Sequence, residues 1–179
     1  KYSKIIPYVT VPRKRAELQK CAHTIRKQLN LKKKQPFPVM YFLEIVLVKL
    51  YPDFNFEIEE PGALGDNIYA FYDVAECTIH IDQNVYNRAC NNVPRDLFTI
   101  AHEISHVLLL NKGNILAARS RKYEAFRDPE WQANELAAEI LAPHDALTDL
   151  TVEEAAQNYH ISKKTAQIQK SEIGRASCR

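Results

Sequence analysis

The run His102-Glu103-Ile104-Ser105-His106 constrains this 179-residue chain more than any other stretch. On a helix, residues four apart lie one turn apart on the same face, so both imidazoles can reach a single metal ion. Glu103 is turned by about 100° from His102 by the helical period, which leaves its carboxylate beside the metal, free to take a proton from water there. The pattern therefore demands a helix, and the flanks supply one. Asn91, Asn92 and Pro94 give capping and first-turn signals, and Asp96 suits the positive end of the helix dipole. Leu97, Ile100, Ile104, Val107 and Leu108 recur at helical spacing, and Asn111-Lys112-Gly113 is a stop signal. The plain alternative is two ordinary helix histidines beside a solvated glutamate.

A catalytic zinc site wants three protein ligands and an open position for water. A third histidine six residues on, with a glycine between, is excluded because the chain has Leu109 and Lys112 at those places. A glutamate on a second helix is the other route, and residues 128–143 supply that helix. Asp128 reads as its N-cap, Pro129 as its first residue and Pro143 as its end. Ala133, Leu136, Ala137, Ile140 and Leu141 form its packing stripe, the alanines small enough for close approach to the histidine helix. Glu130, Glu135 and Glu139 compete for the third place, with Asp128 and Glu124 behind them. Glu130 shares a face with Ala133 and Asn134, so Asn134 is placed to hydrogen-bond a ligating histidine. Glu130 is therefore the first choice. Glu135 and Glu139 lie off that face, where solvated charges on an amphipathic helix are the simpler reading.

These two stretches, Phe98-Thr99-Ile100-Ala101-His102-Glu103 with the residues through Leu109, and the helix from Glu130 to Pro143, resemble the ImmA/IrrE family of zinc metallopeptidases. The family pattern is a Phe-Thr-(Leu/Ile)-Ala-His-Glu run, then a Glu-x-x-Ala-Asn-x-Phe-Ala-Ala helix ending in Leu-Met-Pro. Leu136 replaces the usual Phe, Ala142 replaces Met, and Ser105 stands where Gly is common. None of these is a candidate ligand. The similarity runs over roughly residues 35 to 170. It implies an α+β fold: a mainly helical, zincin-like metallopeptidase domain with a small antiparallel β-sheet and a short C-terminal helical segment. It also implies one zinc ion per chain and a bacterial or phage regulatory protease, whose partner is a repressor carrying a helix-turn-helix domain.

Bulk properties admit that reading. Hydrophobic content of 46% and charged content of 26% are ordinary for a globular protein. No apolar run is long enough to span a bilayer; residues 39–50 come nearest and are broken by Glu44 and Lys49. Cys21, Cys77, Cys90 and Cys178 show no paired spacing, which suits reduced thiols and a cytoplasmic location. Residues 1–34 hold eleven Lys and Arg against Glu17 alone, a net of +10 that leaves −8 for the rest of a chain totalling +2. Such a segment can attract nucleic acid or an acidic partner. A solvated helix over 14–29, with Leu18, Cys21, Ala22, Ile25 and Leu29 inward, explains it as well, and no aromatic residues are interleaved to stack on bases.

Four segments follow: 1–34 a basic helical segment, 35–146 the metallopeptidase core, 147–173 a C-terminal segment resembling a helix-turn-helix, and 174–179 a tail of vector origin. Within the core a helix is expected over 39–51, a short strand over 55–59, a turn over 62–66, and two antiparallel strands over 68–72 and 78–81. Either of the last two can hold an extended substrate by backbone pairing. Residues 113–127 read as a basic loop, in which Tyr123 is the best candidate to stabilise an oxyanion. His144, just past the Glu130 helix, is a candidate proton donor. His23, His80 and His160 have no motif context. Thr151 and Glu154 form a capping box, and a turn at 159–162 leads to a helix from Lys163. A helix–turn–helix of this kind is compatible with DNA binding, although the second helix carries only Lys163, Lys164 and Lys170. A metal-containing module that docks a repressor or DNA without cutting is the alternative to a protease. Catalysis needs Glu103; docking does not.

Overall fold

Thr78–Asp82 is a strand in which every residue is buried, so it must be covered on both faces and paired on both edges. In the computed structural model, which describes residues 8–110, 115–117 and 128–176, it is the centre of a three-stranded sheet. The elements run β1 (Tyr8–Thr10), α1 (Arg15–Gln28), α2 (Val39–Tyr41, a π-helical turn Phe42–Leu47, and Val48–Leu50), β2 (Asn55–Glu59), β3 (Ala70–Asp73) and β4 (Thr78–Asp82). There follow α3 (Gln83–Cys90), α4 (Pro94–Leu109), β5 (Ile115–Ala117), α5 (Pro129–Leu141), a 3₁₀ turn at His144–Ala146, α6 (Val152–Tyr159) and α7 (Lys163–Ala176).

The sheet order is β2-β4-β3. β3 and β4 are the expected antiparallel pair, joined at a turn where Asp73 Oδ1 accepts from the backbone N–H groups of Ala75 and Glu76. β2 pairs with β4 in parallel, Phe56 opposite Ile79 and Ile58 opposite Ile81. The sheet is thus mixed and not wholly antiparallel. The reason is topological: β3 lies between β2 and β4 in sequence but takes the far edge, so β2 meets β4 running the same way.

Two helix-level differences also have physical causes. Residues 83–90, where no element is expected from the sequence, form α3, which buries Val85 and Ala89 one turn apart and is started by Asp82, whose Oδ1 accepts from the Asn84 N–H at 2.8 Å. Asn91 then caps the end of α3, and Asn92 takes the left-handed conformation, φ 58°. Neither caps α4. That role falls to Val93, which has no capping side chain, with Pro94 as the first helical residue. Asp96 is buried and accepts two hydrogen bonds from Arg88, so its charge serves an ion pair between α3 and α4 as well as the helix dipole. The expected stop at Asn111 to Gly113 lies outside the described residues, where α4 has already ended at Leu109. Part of the expected 113–127 loop is strand: Ile115–Ala117 pairs antiparallel with Tyr8–Thr10.

The core sits where α4 and α5 pack together. Ile100, Ile104, Leu136, Ile140 and Leu141 are inaccessible, and Ala133 and Ala137 let the two backbones close. Ile79 and Ile81 cover this layer from the sheet, and Leu43 and Leu47 from α2. α1 packs on α5 through Leu18 and Ala22, with Cys21, Ile25 and Leu29 partly buried, as the 14–29 pattern requires. Two arginines of this segment are turned inward while the lysines from Lys14 to Lys34 stay exposed: Arg15 pairs with Glu135 and Glu172, and Arg26 donates to the carbonyls of Ile140 and Gln35. At the other end Thr151 and Glu154 form the expected capping box, His160 ends α6 in the left-handed conformation, and Tyr159 is buried with its hydroxyl donating to the Lys33 carbonyl. Among the described residues no helix is long and apolar enough to cross a membrane.

Candidate metal centre

α4 and α5 meet so that His102, His106 and Glu130 come together. His102 Nε2 lies 3.1 Å from Glu130 Oε2 and 3.0 Å from His106 Nε2, which in turn is 3.3 Å from Glu130 Oε1. The local causes are those the sequence suggested. The two rings stand one turn apart, their centroids 4.7 Å from each other, on the side of α4 that faces the start of α5. Glu130 is in the first turn of α5, whose N-cap Asp128 accepts from the Glu130 N–H at 2.9 Å. Glu130's place near the start of α5 follows from that cap and from Pro129.

Ring orientation is set from behind. Asn134 lies one turn after Glu130, and its Oδ1 is 3.1 Å from His102 Nδ1. An amide oxygen only accepts, so Nδ1 carries a proton and Nε2 is the nitrogen that faces Glu130 and His106, donating to them while protonated and able to bind a metal once it is not. His106 Nδ1 is buried with no partner among the described residues. Two imidazole nitrogens and a carboxylate converging this closely need positive charge between them. Glu130 is held far below the usual carboxylate range by hydrogen bonds from His102 and His106. Burial opposes charge on His102, but the bond to Glu130 and the charges of Glu103 and Glu130 outweigh it, so its pKa is raised. This donor set fits a metal ion: it offers three ligand atoms and attracts a cation.

Glu103 sits under the histidines, 8% exposed. Burial raises its pKa; the two imidazoles oppose that shift, and the backbone of Tyr72 on β3 lowers it further by hydrogen bonding. The part played by Tyr72 had no signal in the sequence, because it depends on which way one strand's amide points.

The rival acids are engaged elsewhere. Glu135 holds Arg15 at 2.6 Å, and Glu139 is bonded to His144 Nδ1 at 2.9 Å and to Gln19. Glu139 is in the last turn of α5, about 13 Å along the axis from Glu130 at 1.5 Å per residue. His144 is therefore not brought to the His102–Glu130 group; it serves the contact between α5 and α1. Tyr123 and Glu124 lie outside the described residues.

A second group of metal-binding types occurs on the sheet. His80, without motif context in the sequence, is 2.7 Å from Glu59 and 3.7 Å from Glu57, its ring stacked on Phe71 at 4.9 Å. Glu57 and His80 are register partners, so this cluster ties β2 to β4.

No curated protein matches the chain. Residues 67–169, from just before β3 into α7, match the Peptidase_M78 family, described as the IrrE N-terminal-like domain. That stretch holds His102, Glu103, His106 and Glu130 and is more than half of the sequence. The chain belongs to this family of metallopeptidases.

Proposed function

We propose that the chain is a zinc-dependent endopeptidase, with one zinc held by His102, His106 and Glu130, that cleaves a partner transcriptional repressor in the cytoplasm. The observation that carries this reading is the convergence of those three side chains beside a buried glutamate. The two Nε2 atoms are 3.0 Å apart and each has a Glu130 carboxylate oxygen 3.1 or 3.3 Å away, Oε2 for His102 and Oε1 for His106, close enough for one small cation to be shared by all three side chains. Bound zinc supplies a Lewis acid for the scissile carbonyl and lets water lose a proton near neutral pH.

The chain's own residues do the rest. Asn134 keeps the His102 lone pair turned inward. Glu103 takes the proton of the attacking water on its carboxylate and returns it to the leaving nitrogen. Burial raises its pKa towards the operating range of such a relay. β4 is paired on both sides, so of the two candidate strands only β3 has an edge for substrate. The Tyr72 N–H is directed at Glu103 and so away from β4; by the alternation of an antiparallel ladder, Ala70 presents its N–H and C=O to that same edge. A peptide added there as a strand is carried across Glu103. The repressor as substrate follows from the resemblance of the two helical motifs to a family of regulatory proteases. Incubating the zinc-loaded chain with the product of a neighbouring repressor gene, with and without chelator, should give fragments by mass spectrometry only without chelator. Intact repressor in both samples contradicts the proposal.

A further inference from the structure

Residues at i, i+4, i+7 and i+11 of a helix share one face. On α4 that series is Arg95, Thr99, His102 and His106. The face that carries the histidines thus also carries a cation, about 10 Å back along the axis from His102 at 1.5 Å per residue. Arg95 is exposed and has no carboxylate partner among the described residues. Its guanidinium stands over the ring of Tyr69 instead, 4.8 Å from the centroid. Tyr69 immediately precedes β3 and continues its pairing, since its carbonyl accepts from the Asp82 N–H at 3.0 Å. Three residues on, Tyr72 faces Glu103, and three residues of strand cover about 10 Å. Strand and helix therefore run side by side in the same sense, with Tyr69 and Arg95 at one end and Tyr72 and Glu103 at the other.

From this alignment we propose that Arg95, steadied by Tyr69, is a specificity residue that selects an acidic side chain on the C-terminal side of the bond cut. The inference rests on the peptidase reading above. A peptide pairing antiparallel to β3, the slightly more stable mode, runs from Tyr72 towards Tyr69, so the residues after the cut pass Arg95. The distance corresponds to about three residues of extended chain. A guanidinium held over a ring by the cation–π attraction makes no hydrogen bond to it, so its N–H groups remain able to match a carboxylate two at a time. Ile68 and Tyr69, both about two-fifths exposed, add apolar surface beside that charge.

The test is a cleavage profile. The zinc-loaded chain is incubated with a proteome-derived peptide mixture, and mass spectrometry locates the cuts. Asp and Glu should be enriched about three- to fivefold at the second to fourth residues after the cut, the size expected of a half-exposed ion pair, and less so at high salt. Arg95→Lys should keep part of the preference, Arg95→Ala should erase it, and Arg95→Glu should exchange it for Lys and Arg. Because Arg95 is exposed, these variants leave the core untouched. An acidic preference unchanged in Arg95→Glu, or none in the wild type, overturns the inference while leaving the peptidase reading in place. Failure of the wild type to cut any peptide, with repressor also intact, overturns both.

Discussion

Asn134 Oδ1 and His102 Nδ1 are 3.1 Å apart, a single hydrogen bond that crosses from α5 to α4 and fixes which ring nitrogen is free. Partners of this kind are typically worth about 10- to 100-fold in metal affinity. Asn134→Ala should weaken zinc binding by that amount, measured by competition with a chromogenic chelator, while Asn134→Asp, which still accepts, should retain most of it. Wild-type affinity in Asn134→Ala would mean that the bond does not orient the ligand.

The third ligand is tested by comparing acids on one helix. Glu130→Ala should lose metal far more readily than Glu135→Ala or Glu139→Ala. Glu135→Ala instead breaks the half-buried pair with Arg15 and should cost stability of at most about 1 kcal/mol. Elemental analysis of the three purified variants decides the matter. Full zinc in Glu130→Ala together with loss in Glu135→Ala or Glu139→Ala reverses the assignment.

What the sequence disclosed was the part written in local chemistry. The helix around His102, the Asp128–Pro129 start of α5 and the Thr151–Glu154 box each depend on residues within one turn, and each stands where the pattern puts it. What it withheld is non-local. The parallel pairing of Phe56 with Ile79, the β1–β5 ladder and the seat of Tyr72 beside Glu103 join residues far apart in the chain, and no spacing records them. α3 spans only eight residues, so its apolar stripe reduces to Val85 and Ala89 one turn apart, too short a repeat to mark a helix without the Asp82 cap and the contact of Arg88 with Asp96. His80 gave no sign of Glu59, its partner across a strand pair.

Arg26 tests the inward reading of the basic segment. It is buried and donates to the Ile140 carbonyl at 2.8 Å, in the last turn of α5, and to the Gln35 carbonyl at 2.5 Å. Arg26→Ala strands the buried Ile140 carbonyl, a loss of about 1–3 kcal/mol, and removes packing by the aliphatic stem. The urea midpoint should fall clearly, with zinc affinity little changed. An unaltered midpoint would return this arginine to the solvated charges.

Metal retention should fall in acid. His102 is raised above its ordinary value of 6.5: burial, which disfavours the charge, is outweighed by the bond to Glu130 and the neighbouring carboxylates. Metal must displace that proton, so affinity should begin to drop above the ordinary imidazole value and continue downward, by about tenfold per pH unit for each proton taken up. Glu130, depressed by its bonds from His102 and His106, stays charged through this window. The metal-free fold has the opposite sign at His102. Its raised pKa stabilises the fold fully below 6.5, and that contribution is lost as pH rises through the raised value. Zinc titrations between about pH 8 and about pH 5 should show the fall; constant affinity would contradict it.

The central claim is that Glu103 moves protons while His102, His106 and Glu130 hold the metal, and Glu103→Gln separates the two. The substitution keeps size and leaves all three ligands, so zinc content by elemental analysis should match the wild type. Proton-transfer catalysis is typically worth about 10²- to 10⁴-fold, so cleavage of the repressor by the zinc-loaded variant should slow by at least that order while the repressor is still bound. Wild-type cleavage rates in a fully loaded Glu103→Gln protein would contradict the account.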